Sequence, residues 1–345
     1  MNTLHTLKLS IDWKLISILS QIDRFDGEWT TIEKKEGRSL KQLKSAATVR
    51  SVGASTRIEG SKMSDQEVDV LLKDLKIEKL ADRDSQEVAG YFDVLDSISE
   101  SYENISISEK SIKNLHNQLL KYSDKDARHK GDYKQASNSV EATLPDGTKQ
   151  IIFQTAPPGI ETKEAMRSLI NWYNTDNVTH PLVKSSIFCY EFVSIHPFQD
   201  GNVRLSRLLT TLLLLKNGYK WIQYVSFEHE IEHRKTDYYR VLRNCQSQRP
   251  NEEVNEWITF YFDALSNIQT QLKAKLNSEG IEQQLSPRDR SILTFISDHP
   301  GSKSGEVSQK LDIPSSTVKR KLTELTSKRL LEKFGTGRGT NYSIA

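Results

Sequence analysis

At 345 residues, with 36% hydrophobic and 27% charged residues, the chain is long enough for two or more globular domains with a sizeable core. Its longest apolar run, 208–215, is interrupted by threonines and is far shorter than the roughly 20 residues that span a bilayer, so we expect no membrane contact. The N-terminus lacks the layout of a secretory signal and the two cysteines do not make a disulfide framework, which predicts a cytoplasmic protein with reduced thiols.

Helical apolar spacing dominates the first part of the chain. The helices that it predicts there are 12–29, 64–75, 85–100 and 108–123. Ser64, with Glu67 three residues later, gives the second of these helices the signature of a capping box.

The pattern changes at 131–159, which is rich in Thr, Val, Ile and Phe. The run Pro145-Asp146-Gly147 interrupts this segment and a Pro-Pro pair ends it, so we predict a β-hairpin in a helical protein. Helical spacing then returns at 162–174, 181–195, 202–218, 237–246 and 251–276.

The end of the chain reads as a small separate module. Residues 277–286 are polar and contain a glycine, so we predict a linker there. Residues 287–345 show three helices, a strand, a glycine-rich turn and a last strand, which is the outline of a winged helix-turn-helix. Residues 286–345 carry eleven Lys and Arg against six Asp and Glu, a net +5 that leaves −3 for the rest and favours a polyanionic partner.

The segment 196–207, HPFQDGNVRLSR, combines residue types that neither a core helix nor a surface loop needs together. Pro197 disfavours helix at His196, and Gly201 allows a left-handed turn. We therefore predict a loop that opens into a helix N-terminus, which Asn202 can cap. Such a terminus has free N–H groups and a partial positive charge, so it can hold an anion.

The charged side chains of this segment point to a polyphosphate ligand. Arg204 and Arg207 share one face at the start of the helix, where they oppose the helix dipole, but their guanidinium forks match phosphate oxygens. Asp200 beside them favours Mg²⁺, and His196 can take a proton near neutral pH. The residues therefore predict metal-assisted chemistry on a nucleotide polyphosphate.

The same segment resembles the Fic motif, His-Pro-Phe-x-[Asp/Glu]-Gly-Asn-Gly-Arg-x-x-Arg, with Val203 at the usual position of the second Gly. The resemblance extends to the neighbouring helices and the hairpin. It implies a mainly α fold with a Fic-type helical core, a β-hairpin flap and a small C-terminal winged-helix domain. The implied domains are an N-terminal helical region 1–100 with an inhibitory helix near 45–60, a Fic catalytic core 101–276, a linker 277–286 and a winged helix-turn-helix 287–345.

The resemblance implies protein adenylylation, the transfer of AMP from ATP to a Ser, Thr or Tyr hydroxyl of a target protein or of the enzyme itself. His196 would deprotonate that hydroxyl, and Asp200 would hold the Mg²⁺ that bridges two phosphates. The hairpin would register the backbone of the target by strand addition.

The remaining motif residues would bind the phosphates. Donors of Gly201 and Asn202 would line an anion hole, Arg204 would neutralise the β-phosphate, and Arg207 would neutralise the γ-phosphate. Val203 belongs to the same set, but a β-branched residue adopts positive φ only at a cost. Its N–H can still donate at negative φ, and we expect a slower or more selective enzyme.

Residues 55–60 resemble the inhibitory motif of the family, [Ser/Thr]-x-x-x-Glu-[Gly/Asn]. Ser55 and Glu59 are one helical turn apart, and Gly60 can close the helix. The resemblance implies that Glu59 pairs with Arg207 and thereby occupies the place of the γ-phosphate, because one guanidinium cannot fully serve both anions.

Residues 315–325 resemble a recognition helix, with a cap at Ser315 or Ser316 and with Val318 and Leu322 facing the core. The DNA contacts that this predicts come from Lys319, Arg320, Lys321 and Arg338. The alternative for this fold is a module that docks a protein.

Two classes of function stay open: an adenylyltransferase, and a DNA-binding transcriptional regulator whose Fic core senses nucleotide or has weak activity. The target, a homodimeric assembly, removal of AMP as the reverse reaction, and transfer of phosphocholine or phosphate are also left open by the sequence.

Overall fold

The computed structural model describes residues 7–35, 37–74, 80, 82–143, 149–283, 286–328 and 330–344, without the side chains of 35, 37–39, 139–143, 149–152, 277–283 and 338. The chain divides into two compact units, Met1–Leu272 and Lys273–Ala345. The described residues are mainly helical and contain two antiparallel two-stranded sheets. None of the helices in these ranges has both the length and the apolar character needed to cross a bilayer.

The larger unit is built from helices around one hairpin. Its described helices, the last of which continues into the smaller unit, are α1 Trp13–Lys35, α2 Gly37–Ile58, α3 Asp65–Lys73, α4 Arg83–Ser101, α5 Glu109–Leu119, α6 Ile160–Thr175, α7 Pro181–Ile195, α8 Asn202–Lys216, α9 Phe227–His233, α10 Lys235–Gln246 and α11 Asn255–Gln283. The hairpin consists of β1 Ser139–Thr143 and β2 Lys149–Gln154. The predicted capping box at Ser64 and Glu67 is confirmed.

The core of the larger unit is organised by α7 and α8, which pack against each other. Residues 185–195 of α7 are all buried, as are the leucines of α8, because a helix that is apolar all round belongs in a core. Helix α4 packs against α8 and α5. Gly90 allows the close approach of α4 to α5, since a Cβ at this position would collide with the carbonyl oxygen of Leu119. This packing fixes the end of α7 and the start of α8, between which the loop 196–201 runs.

The hairpin is confirmed at the predicted place. Val140 pairs with Phe153, and the register shifts after Val140, as at a β-bulge. The predicted turn at 145–147 lies outside the described residues.

The smaller unit has the predicted order of three helices and a strand pair. Its further elements are α12 Pro287–Asp298, α13 Ser304–Leu311, α14 Ser315–Ser327, β3 Leu331–Phe334 and β4 Asn341–Ile344. Val318 and Leu322 are fully buried in its core, as predicted. The predicted cap of α14 is wrong, because Pro314 stands at the N-cap without a side-chain hydrogen bond and both serines are exposed helical residues.

The predicted linker at 277–286 begins inside a helix. Helix α11 continues to Gln283, and the two units divide inside it, between Leu272 and Lys273. A single glycine in a helix costs only about 1 kcal/mol relative to Ala, so Gly280 alone does not end α11.

Candidate active site

The loop between α7 and α8 owes its shape to two left-handed residues. His196 follows the last residue of α7 with φ 52° and ψ 60°, and its N–H donates to the Phe192 carbonyl. Gly201, with φ 76°, forms the N-cap of α8. Both turns agree with the predictions from Pro197 and Gly201, although left-handed backbone is uncommon for a histidine.

His196 presents one free ring nitrogen. Its Nδ1 lies 3.3 Å from the Val193 carbonyl oxygen, which can only accept, so Nδ1 carries the proton of the neutral ring. No hydrogen bond to Nε2 is found among the described residues. Burial, together with a smaller effect of nearby Lys134, lowers the pKa of His196 to about 4, against the opposing effects of the Val193 carbonyl and Asp200. The imidazole is therefore a neutral base at pH 7.

Asp200 is an ionised carboxylate at the mouth of the loop. Its Oδ1 accepts from the Gly201 N–H at 2.6 Å and lies 3.5 Å from Arg204 Nη2, while Oδ2 lies 3.4 Å from Lys125 Nζ. Burial raises the pKa of Asp200, but Arg204, the Gly201 N–H and Lys125 together lower it by more. The side chain is 36% exposed, so its oxygens can reach a ligand.

The donor set at this loop fits Mg²⁺ bound together with a polyphosphate. No cluster of three or more His, Cys, Asp or Glu that could hold a metal occurs in the described part of the chain. One ionised carboxylate, Asp200, faces the start of α8, and Mg²⁺ is commonly held by one or two carboxylates plus substrate phosphates. Asp200 therefore stays the candidate metal ligand.

Arg204 is a buried guanidinium that lacks one hydrogen-bond partner. It is 3% exposed and lies between two carboxylates, with Nη1 3.4 Å from Glu87 and Nη2 3.5 Å from Asp200. Neither distance is that of a strong ion pair, and Nη1 makes no hydrogen bond to the described residues. A buried N–H without an acceptor is costly, so an anion would be stabilised here.

Arg207 is the most enclosed charge of the segment, at 1% exposure. Its Nε donates to Ser55 Oγ at 2.9 Å, and its Nη2 donates to the Ser55 carbonyl and to Glu59 Oε1, both at 3.0 Å. Its Nη1 is buried without a hydrogen-bond partner among the described residues. Burial lowers the pKa of Arg207, but the Glu59 carboxylate raises it by more, so the guanidinium remains charged.

The predicted motif at 55–60 is thus placed against Arg207 by the end of α2. Glu59 follows the last residue of the helix, in a turn whose N–H groups donate back to Thr56 and Arg57, and Gly60 closes the turn with φ 107°. The helix itself begins at Gly37, earlier than the predicted 45. Contact between Glu59 and Arg207 is therefore present in the structure, while its effect on activity stays a prediction.

Two side chains from α9 and α10 hold this end of α2. Arg57 donates to both carboxylate oxygens of Glu232, at 2.7 and 3.0 Å, and to Asp65 at 2.9 Å. Lys235 Nζ donates to the Ile58 carbonyl at 2.7 Å, which satisfies a carbonyl at the helix end. The position of Glu59 is therefore set by the scaffold as well as by Arg207.

Asn202 has a different place from the predicted one. It is the first residue of α8, not its cap, and its side chain is buried, where it accepts from the Phe198 N–H and donates to the Phe198 carbonyl, both at 2.8 Å. The side-chain donor that was expected to face an anion is therefore used to close the loop. The Gly201 N–H is also engaged, by Asp200.

The backbone of the first turn of α8 remains free to bind an anion. No acceptor for the N–H groups of Asn202, Val203 or Arg204 is found in the described ranges, and the first hydrogen bond of the helix runs from Leu205 to Gly201. Val203 is not among the residues with positive φ, so the β-branched side chain meets no backbone conflict.

Two residues outside the predicted set of site residues complete the site. His116 of α5 stacks on Phe198, with ring centroids 3.8 Å apart and planes 8° apart. Its Nδ1 accepts from the Gly131 N–H at 2.9 Å, so Nε2 carries the proton and donates to the Asp200 carbonyl at 3.0 Å. Burial lowers the pKa of His116 to about 4, which keeps it neutral. The other residue is Lys134, whose Nζ reaches the Ile195 carbonyl.

The side chains that were predicted to contact DNA from α14 differ in their exposure and in their ion pairs. Lys319 is exposed and its ammonium group has no ion pair among the described residues, while Arg320 is 65% exposed and pairs with Glu324 at 3.0 Å. Lys321 is only 18% exposed and pairs with Asp289 at 3.1 Å and Glu324 at 3.0 Å, so it ties α14 to α12 instead of facing a ligand. The side chain of Arg338 lies outside the described ones.

The helical core, the hairpin and the loop before α8 together define the Fic class of folds. A family model described as Fic/DOC family matches residues 106–214, and one described as winged helix-turn-helix DNA-binding matches 285–332. The chain contains a Fic/DOC domain followed by a winged helix-turn-helix domain, as the resemblance implied.

Known proteins resemble the chain over different shares of its length. It is 28% identical over 185 residues to the protein adenylyltransferase Fic of Drosophila grimshawi, which is 52% of this chain and 36% of that protein. It is 26% identical over 208 residues to the one of Aedes aegypti, which is 59% of this chain and 38% of that protein. The match thus spans less than half the length of these curated relatives.

Solved structures share the fold. A Fic family protein from Desulfovibrio desulfuricans G20 aligns with a TM-score of 0.64 at 23% identity, over 97% of both chains. Fic-1 from C. elegans, residues 134–508, aligns with a TM-score of 0.56 at 21% identity, over 76% of this chain and 73% of that one.

Proposed function

We propose that the chain is a protein adenylyltransferase that moves AMP from ATP to a Ser, Thr or Tyr hydroxyl. One observation carries this proposal: His196, a neutral imidazole whose Nε2 makes no hydrogen bond to the described residues, precedes a helix start where Arg204 and Arg207 are both buried. The Nη1 of each arginine also makes no hydrogen bond to those residues. A base and two unsatisfied cationic donors are what transfer from a polyphosphate requires. The adenylyltransferase names of the relatives support the same class.

In the proposed reaction the hydroxyl oxygen of the target attacks the α-phosphorus of ATP. His196 Nε2 accepts the hydroxyl proton, the new O–P bond forms, the bond between the α-phosphorus and its bridging oxygen breaks, and pyrophosphate leaves. The free N–H groups at the start of α8 bind phosphate oxygens, while Arg204 and Arg207 neutralise the β- and γ-phosphates.

Mg²⁺, held by Asp200 in this proposal, would supply positive charge between neighbouring phosphates. Contacts within the protein hold Asp200 in that position independently of a metal. His116 fixes the Asp200 carbonyl, and the Gly201 N–H and Lys125 hold the two carboxylate oxygens. The low pKa of Asp200 keeps it ionised near neutral pH.

The target protein is proposed to approach along the hairpin. A cavity of about 580 Å³ borders Thr155 at the end of β2 and Ser194 and Ile195 at the end of α7, immediately before His196. A β-strand edge beside such a cavity suits an extended segment, whose backbone adds to the strand while one side chain is held.

ATP as substrate and the free thiols of Cys189 and Cys245 agree with a cytoplasmic protein.

The contact of Glu59 with Arg207 is proposed to inhibit the enzyme. Glu59 Oε1 occupies Nη2 of Arg207, which is a donor that the γ-phosphate would need. Bound ATP would then lack one of its anchors, so the α-phosphorus would be held less often in line with the hydroxyl.

Incubation of the purified chain with Mg·ATP, followed by intact-mass analysis, tests the transfer. We expect a mass increase of one AMP per modified hydroxyl in a variant that carries Glu59→Gly, and none when His196→Ala is added. His180→Ala is the matched control, because this histidine lies at the other end of α7. Absence of AMP from both the enzyme and a mixture of candidate proteins, or equal transfer without His196, would reject the proposal.

A second candidate function is DNA binding by the smaller unit. It is favoured by the family model at 285–332 and by the exposure of Lys319 and Arg320 on α14. Gel-shift assays at two salt concentrations should show affinity that falls steeply with salt, and Lys319→Gln should reduce the slope of log K against log salt by about 0.9. Lys328→Gln, at the end of α14, is the control. No shift at low salt would leave protein docking as the role of this unit.

A further inference from the structure

Lys134 is a buried cation with no carboxylate partner among the described residues. It is 1% exposed, and the ion pairs found among the described residues do not include it. Burial lowers its pKa to about 8. Lysine is almost never fully buried unless its ammonium group is paired, so the burial of this charge calls for a structural or functional explanation.

The contacts of Lys134 enclose the candidate base. Its Nζ donates to the carbonyl of Ile195 at 3.3 Å, and its backbone N–H donates to the carbonyl of Pro197 at 2.9 Å. These two residues are the direct neighbours of His196. The left-handed backbone of His196 is therefore held on both sides by one residue.

The other contacts of Lys134 lie at the base of the hairpin. Nζ donates to Asn138 Oδ1 at 2.7 Å and to Thr155 Oγ1 at 2.8 Å. Asn138 immediately precedes β1, and Thr155 immediately follows β2. Asn138 Nδ2 also donates to the Phe198 carbonyl at 2.9 Å, so the hairpin and the loop share a second link.

We propose that Lys134 is a positioning residue that locks the loop of His196 to the base of the hairpin. The inference rests on the proposed function, since it assigns the hairpin to the target and His196 to proton removal. A single ammonium group then keeps the base and the strand that aligns the target in one rigid frame. Without that frame each could be present, but the hydroxyl and Nε2 would meet in the right geometry less often.

The chemistry of the contacts explains why a lysine suits this position. The three acceptors are a carbonyl, an amide oxygen and a hydroxyl, and an ammonium group has three N–H donors. The Ile195 carbonyl belongs to the last turn of α7, where carbonyl oxygens lack partners within the helix and a cation is favourable. An apolar side chain of the same length would leave all three acceptors without this donor.

Lys134→Met tests the inference in the Glu59→Gly background, with Lys110→Met on the exposed start of α5 as the matched control. We expect kcat for AMP transfer to fall about 10- to 100-fold with the KM for ATP nearly unchanged, because the base is misplaced while the phosphate site is not. Lys134→Arg should recover part of kcat. Thr155→Val, which removes one acceptor, should lower kcat by less than Lys134→Met does.

Hydrogen–deuterium exchange separates this inference from the proposed function. Lys134→Met should raise deuterium uptake in peptides covering 149–157 and 192–200, and should leave uptake in α11 unchanged. Unchanged uptake in both peptides overturns the inference whatever the activity, and so does uptake raised over the whole larger unit, which would indicate a merely structural role. If the parent variant transfers no AMP, the proposed function fails, and exchange alone then decides the linkage.

Discussion

Replacing Glu59 with glycine removes one of two sets of contacts at Arg207. The Nη2–Oε1 hydrogen bond of 3.0 Å is lost, while the bonds from Arg207 to Ser55 Oγ and to the Ser55 carbonyl remain. Arg207 should therefore keep its orientation, because Ser55 lies within α2 and does not depend on Glu59. The variant frees the donor without moving the guanidinium, so it tests competition for Arg207 directly.

The size of the effect follows from the bond that is removed. A hydrogen bond to a charged group contributes about 1.5–3 kcal/mol, and each 1.36 kcal/mol is a factor of ten in a rate. Freeing Nη2 should thus raise AMP transfer about 10- to 150-fold. The lower part of that range is expected, because the Glu59 side chain is 28% exposed and water screens its carboxylate.

Initial rates of AMP incorporation with Mg·ATP, measured by intact mass, give the comparison. Glu59→Gln should lie between the wild type and Glu59→Gly, since it keeps the shape of the side chain but removes its charge. Glu103→Gly changes an exposed glutamate in a short turn and should leave the rate as it is. A rate for Glu59→Gly no higher than that of the wild type, in a folded protein, would refute the competition, and an equal gain for Glu103→Gly would show that the effect is not local.

Two further predictions concern the base and the start of α8. Burial lowers the pKa of His196 from 6.5 to about 4, so protonation removes the base only as the pH falls through that value. The kcat/KM of Glu59→Gly should therefore stay level between pH 6 and 7 and decline below about pH 5, and a midpoint near 6.5 would contradict this. Val203→Gly should lower the KM for ATP with kcat little changed, since it gives phosphate closer access to the N–H groups. Val203 is not among the residues with positive φ, so its side chain strains no backbone that catalysis needs. A large change in kcat in the same assay would contradict this expectation.

The loop and its helix could be predicted from the sequence because local rules fix them. Pro197 ends α7 and Gly201 supplies the left-handed turn, and these effects need no knowledge of the rest of the fold. The pairing of Glu59 with Arg207 could be expected only from a resemblance, since 148 residues separate the two and no local rule brings them together.

The residues that the sequence did not indicate act through tertiary contacts. His116 has the spacing of an ordinary core residue on α5, and its role depends on a stack with Phe198 and a bond to Asp200, both more than 80 residues away. The residue type of Asn202 predicts a helix cap and the resemblance implies a role at the anion, but the tight turn at Gly201 places its amide against the Phe198 backbone instead. For both residues, tertiary packing determines the hydrogen-bond partners of the polar atoms.

The proposed inhibition is a competition between Glu59 and a phosphate for one incompletely satisfied guanidinium. Arg207 is buried and charged, and with Glu59 in place its Nη1 still makes no hydrogen bond within the described part of the chain. Glu59 therefore satisfies Arg207 only in part, and a phosphate group, which has three oxygens to offer, can bind where one carboxylate oxygen does not suffice. The bonds of Arg57 to Glu232 and of Lys235 to the Ile58 carbonyl oppose that exchange by holding the end of α2 in place. Release should accordingly depend as much on these anchoring contacts, which lie away from the phosphates, as on the affinity of the site for ATP.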